Sequence, residues 1–140
     1  MNPLQQEKFD AALQDKPFLQ ELVDRLLLFG GEYVVCWNED QCTSEGFILT
    51  LIGLGRAANG KTARLRLKGM EPSHCHENAI RLARKYPTRY QREIGYALSG
   101  DKWVPHSWVW DIKESKIVET TGDRDVYFGM TLSLGRNETD

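Results

Sequence analysis

Three side chains in this sequence have the types and settings that nucleophilic chemistry needs: Cys75, His106 and Glu119. Cys75 stands two residues after Ser73, which reads as the N-cap of a helix that continues through 78–86 until Pro87 ends it. A thiol in a first helical turn feels the positive end of the helix dipole and the free backbone N–H groups. Both favour the thiolate, the form that attacks. The same amides would bind an oxyanion forming on an attacked carbonyl. His106 lies in the aromatic run WVPHSWVWD, whose two-residue period puts Val104, His106, Trp108 and Trp110 on one face and Ser107, Val109 and Asp111 on the other. An imidazole shielded by indoles has its protonation set by one partner.

Glu119 supplies that partner. It interrupts the β-branched stretch IVETT, where strands disfavour glutamate. A hairpin closed by the even-numbered loop IKES would set Asp111 opposite Lys116 and His106 opposite Thr121. Glu119 would then lie diagonally from His106 on the same face, about 7–8 Å away at Cα and within side-chain reach. An odd-numbered loop would turn it to the other face. The order is that of thiol catalysis: a nucleophile, a proton shuttle beside it, and a group that fixes the shuttle's tautomer. Each residue also has an ordinary reading, as a small packed residue, a satisfied core histidine and a solvent-facing strand carboxylate.

The segments PSHCHENAIRLA and HSWVWDIKESKIVETT resemble the core of papain-like cysteine enzymes of the transglutaminase-like and NlpC/P60-like kind. In those proteins a helix-start Cys is followed by a strand His, often as H-x-W, and by an acidic or polar residue on the next strand. The resemblance covers roughly residues 69–130 and implies catalytic roles for Cys75, His106 and Glu119. Two departures stand out. Glu119 occupies a place where transglutaminase-like proteins usually carry Asp, and no aromatic residue adjoins Cys75, so no substrate preference carries over.

Three further residues are candidates for substrate contact: Asn78, one turn after Cys75, together with His76 and Trp108. His74 and His76 bracket Cys75, but successive helix positions point about 100° apart, so they do not chelate one ion with it. The paired ligand spacings of structural zinc sites are missing, and neither a metal nor another cofactor is expected. Cys36 and Cys42 are expected to be unpaired. Three cysteines make an odd, small set that suits a reducing cytosol, hence a cytoplasmic protein.

The elements that must position these groups suggest an α+β fold with N-terminal helices, a central helix carrying Cys75 at its start, and a mainly antiparallel sheet. Apolar residues recur at helical spacing from Leu4 to Phe29, Pro17 divides that run, and Gly30-Gly31 stops it. EYVVCW (32–37) reads as a strand, and FILTLIGLG (47–55) and ARLRLK (63–68) as a strand pair forming a hairpin. After the helix, strands are expected at 93–99, 103–111, 116–121 and 126–134, arranged as a meander. The 140 residues suit a single domain, 1–68 forming a helical and hairpin part and 69–134 the catalytic-type core.

A net charge of −2, 41% hydrophobic and 27% charged residues describe an ordinary globular chain. No apolar run is long enough for a membrane span, and the polar start resembles no secretory or transit signal. The average hides segregation: residues 56–92 carry ten Lys/Arg and two Asp/Glu. That block surrounds Cys75 in sequence and would attract an acidic substrate or partner. The favoured function is a cysteine-dependent hydrolase or acyltransferase acting on an amide, ester or isopeptide carbonyl through Cys75, His106 and Glu119, its substrate a peptide, a protein side-chain amide or a small amide. Two alternatives stand beside it. One is a non-catalytic protein-binding module using the tryptophans at 103, 108 and 110; the other is nucleic-acid association through Arg64, Arg66, Arg81, Arg84, Arg89 and Arg92.

Overall fold

A computed structural model describes residues 1–37, 43–67 and 69–132. The N-terminal run forms two helices divided at Pro17, α1 (Pro3–Asp15) and α2 (Leu19–Leu27). A capping box starts α1: the Asn2 side chain accepts from the Gln5 N–H at 2.8 Å, and the Gln5 side chain accepts from the Asn2 N–H at 2.9 Å. α2 buries Leu19, Leu22, Val23 and Leu26 along one stripe. The expected strand at 32–37 is present as a two-residue pairing only, β1 (Tyr33–Val34).

The segment expected as a strand at 47–55 is a helix, α3 (Glu45–Leu54). Ser44 caps it by accepting from the Phe47 N–H at 3.3 Å, and Gly55 ends it. Only Ile48 and Leu51 are buried, while Leu49 and Leu54 are 50% and 64% exposed. An apolar run with leucines on its outer side carries neither a clear helical nor a clear strand period, so its caps decide its form. The expected hairpin is therefore not formed. Instead β2 (Arg56–Asn59) and β3 (Arg64–Leu65), separated by a 3-10 turn at Gly60–Thr62, go to opposite ends of the sheet.

The remaining elements are α4 (Cys75–Lys85), β4 (Tyr90–Ser99), β5 (Lys102–Asp111), β6 (Lys116–Glu119) and β7 (Val126–Leu132). They match the expected succession, but not a meander. The sheet order is β2-β7-β4-β5-β6-β3, with β1 alongside β5. β3 pairs parallel with β6 and closes its outer edge, so β7 returns to the free edge of β4. Residues 133–134 of the last expected strand lie outside the described residues. The sheet is mixed: β1–β5 and β3–β6 are parallel, and the other four pairings are antiparallel.

One face of the sheet presents Ile94, Tyr96, Leu98, Trp103 and Phe128 to the helices α1–α3. The same core thus draws on both the N-terminal part and the later strands. Further along, Ala79 and Leu82 of α4 pack on Tyr90, Val109 and Val118. On the opposite face the sheet curls, gathering Ala97, Trp108, Ile117 and Tyr127 with Ala58, Ala63 and Trp110 at its rim. Among the described residues, no helix is long and apolar enough to cross a membrane.

Candidate active site

The site begins with an interruption in the sheet. β4 accompanies β5 along its whole length, from Ser99 opposite Lys102 to Tyr90 opposite Asp111. The other edge of β5 carries β1 at Lys102 and Trp103 and β6 at Val109 to Asp111, leaving 104–108 between them. The Trp103 carbonyl faces this edge, accepting from the Val35 N–H at 2.8 Å, so the main-chain groups of 105 and 107 face it too. Pro105 fits there, because it has no N–H to offer a strand partner. The Ser107 N–H is directed instead to the Cys75 sulfur.

Cys75 reaches this gap as the first residue of α4. The expected N-cap role of Ser73 is not realised: its φ of 62° is left-handed, His74 occupies the cap position, and no side chain caps the helix. The His74 side chain thus offers the first-turn amides no acceptor. The approach to Cys75 is held by Asn78, which is 1% exposed. Its side chain accepts from the Glu71 N–H at 3.1 Å and donates to the Glu71 carbonyl at 2.9 Å and to Thr120 Oγ1 at 3.3 Å. Asn78 therefore braces the loop before the cysteine, and its amide is not presented to a substrate.

His106 and Glu119 meet as the even-numbered loop requires. Asp111 stands opposite Lys116, and His106 Nε2 lies 2.6 Å from Glu119 Oε1. The other ring nitrogen is left for Cys75, to which His106 is hydrogen-bonded. His106 is 2% exposed, with the Trp108 and Tyr127 rings 5.9 and 6.3 Å away. Room for this packing comes from two glycines aligned with it across the sheet, Gly95 opposite His106 and Gly129 opposite Gly95. A Cβ on Gly129 would stand 2.5 Å from the Trp108 ring.

Glu119 is wholly buried, yet its carboxylate is surrounded by donors. Oε1 accepts from the Tyr127 hydroxyl at 2.7 Å as well as from His106. Oε2 accepts from the Thr120 and Thr121 N–H groups at 3.0 and 2.9 Å and from Thr121 Oγ1 at 3.1 Å. Burial alone would raise its pKa, but the His106 hydrogen bond and charge, with Thr121 and Tyr127, bring it down to about 2. His106 moves up: burial opposes its charge, and hydrogen bonds to Cys75 and Glu119 outweigh burial. Cys75 moves down, the cost of burial being outweighed by the His106 hydrogen bond and charge and the Ser107 N–H. Both directions favour the thiolate of Cys75 and the imidazolium of His106, with Glu119 orienting the ring. Cys36, by contrast, is buried among apolar groups and pushed up to about 11. Cys42 lies outside the described residues.

The other candidate residues take different places. The His76 ring is bonded through Nδ1 to Ser107 Oγ, and the exposed His74 lies 3.7 Å from Glu77. Trp108 is buried and donates from its indole to Glu93 Oε1 at 2.8 Å. It and Tyr127 help line a cavity of about 310 Å³, bordered also by Arg56, Glu93 and Trp110, that does not include Cys75. Among the described residues, no three His, Cys, Asp or Glu side chains gather as a metal site.

Tyr127, Thr121 and the two roles of Ser107 carry no local signal in the sequence. Tyr127 follows from strand parity only when β7 is paired with β4, as Ala97 opposite Tyr127 shows. The basic block is in part neutralised by acids from beyond it: Asp111 takes Arg89 at 3.0 Å and Arg64 at 3.4 Å, and Glu114 lies 3.8 Å from Arg64. Comparison with protein-family models, curated proteins and solved structures returned no match.

Proposed function

We propose that this chain is a cysteine-dependent hydrolase or acyltransferase with a papain-like core, acting on an amide, ester or isopeptide carbonyl in the cytoplasm. The observation that carries the reading is the continuous hydrogen-bonded chain from the half-buried Cys75 through the buried His106 to Glu119. The thiolate of Cys75 attacks the carbonyl carbon, a C–S bond forms, and the carbonyl electron pair moves to oxygen. In this reading the Cys75 N–H, to which the His74 side chain gives no acceptor, receives that oxyanion. Collapse expels the amine or alkoxide, which takes the proton from His106 and leaves a thioester. His106 then removes a proton from water or an amine acceptor as it attacks the thioester, which restores the thiolate–imidazolium pair. Throughout, Glu119 holds Nε2–H and keeps the other nitrogen toward sulfur.

An activated acyl ester, p-nitrophenyl acetate, tests this reading. The wild-type protein is expected to release nitrophenol in a burst, with the acetyl group located on the Cys75 peptide by mass spectrometry. Cys75→Ser should abolish that burst. A burst unchanged in Cys75→Ser, or acetylation absent from Cys75, overturns the proposal.

A further inference from the structure

Cys75 and His76 are consecutive in α4, and His106 and Ser107 are consecutive in β5. Three hydrogen bonds join the two pairs. Cys75 is bonded to His106 and receives the Ser107 N–H, while His76 Nδ1 is bonded to Ser107 Oγ. Ser107 is wholly buried, so its hydroxyl is placed to serve another group of the protein and not a substrate. It lies in the stretch of β5 between β1 and β6, where no flanking strand pairing fixes the outer edge. Helix α4 also begins here without a side-chain cap. The outer edge of β5 is thus held here by side chains more than by a strand ladder, and the His76–Ser107 bond ties α4 to it one residue away from the thiol–imidazole contact.

We infer that His76 is a positioning residue of the proposed reaction: by holding Ser107 it fixes the Ser107 N–H on the Cys75 sulfur and sets the distance between Cys75 and His106. This rests on the proposed function and adds to it a role for a histidine that does not touch the substrate. The groups acting on the Cys75 thiol are His106 and Glu119 from the sheet, with Tyr127 behind Glu119, while His74 and Glu77 on its own helix turn are exposed and lie against each other. Removing His76 leaves all of these groups in place, and Ser107→Ala breaks the same bond while keeping the His76 imidazole, so an effect common to both variants passes through geometry.

The test is the rate of Cys75 alkylation by iodoacetamide across pH, read with the thermal midpoint of each variant. His76→Ala is expected to slow alkylation at neutral pH about tenfold, the equivalent of one lost hydrogen bond in free energy, and to move the thiol's titration upward. Ser107→Ala, which removes the other partner, should do the same, and the double variant should be no slower than either single one. His76→Asn, whose amide can still bond Ser107 Oγ, should restore much of the rate. A merely structural role would lower the thermal midpoint and leave the titration in place. A fast wild-type thiol whose titration is unmoved by His76→Ala and Ser107→Ala overturns this inference alone. A wild-type thiol no faster than an ordinary exposed cysteine overturns the proposed function together with it.

Discussion

His106 Nε2 and Glu119 Oε1 are 2.6 Å apart, and both side chains are shut away from water. The contact joins neighbouring strands diagonally, across a hairpin in which Asp111 stands opposite Lys116. A carboxylate in this position accepts one ring N–H and thereby assigns the other nitrogen to the thiol. The relationship is costly to build in isolation, since an unpaired buried charge is strongly destabilising. Here five donors converge on the carboxylate and offset that cost.

The first consequence is a pH dependence of stability with a defined sign. Glu119 is held below its ordinary value of 4.5, at about 2. The unfolded chain therefore binds its proton first, so the carboxylate's stabilisation is complete above 4.5 and is lost as pH falls toward 2. Glu119→Gln removes this source of slope and, at neutral pH, should cost about 3–5 kcal/mol, as expected when a buried pair loses one partner. Urea unfolding of both proteins at successive pH values checks it. An equally steep acid loss in Glu119→Gln would assign the slope to other groups.

Tyr127 offers a finer test of the same carboxylate. Tyr127→Phe keeps the ring beside Trp108, where the centroids are 4.8 Å apart, and deletes only the donor to Oε1. The expected loss of stability is about 1.5–3 kcal/mol, the range for a hydrogen bond to a charged group. Cys75 should remain rapidly alkylated, because His106 still bonds Glu119. Equilibrium denaturation and alkylation rates measured on one preparation separate the two effects. Loss of alkylation at unchanged stability would place Tyr127 in the chemistry itself.

Gly95 bears on the space around the site. A Cβ there would lie 2.1 Å from the Phe128 carbonyl oxygen and 2.6 Å from Gly129 Cα, both of them backbone atoms. Gly95→Ala must part β4 from β7 beside His106, and overpacking of this kind costs about 1–3 kcal/mol. A lowered thermal midpoint with slower Cys75 alkylation is expected. A variant as stable as wild type would show that the sheet yields at this point.

Much of the site was legible because its logic is local. The helix through Ala79 and Leu82, the alternation around His106 and the even loop before Lys116 each follow from short-range periods. These were sufficient to place the carboxylate against the imidazole. What was not legible depended on contacts distant in sequence. FILTLIGL is apolar on nearly all sides, so its burial pattern did not reveal α3, and the cap at Ser44 carried the information. That β7 pairs with β4 follows from β3 closing β6, a parallel pairing of two residues that leaves little trace in composition. Tyr127 is hidden from the sequence for that reason. Ser73 has the chemistry of an N-cap but not its backbone conformation, a property set by the loop that Asn78 holds.

The central claim is that His106 makes Cys75 a thiolate near neutral pH. It is measured most directly by following iodoacetamide alkylation of Cys75 across pH in the wild-type protein and in His106→Ala, with the buried Cys36 as an internal reference. Expected are a wild-type titration below the thiol's ordinary 9.0, a shift back toward that value in His106→Ala, and little reaction at Cys36. Superimposable titrations for the two proteins would contradict it.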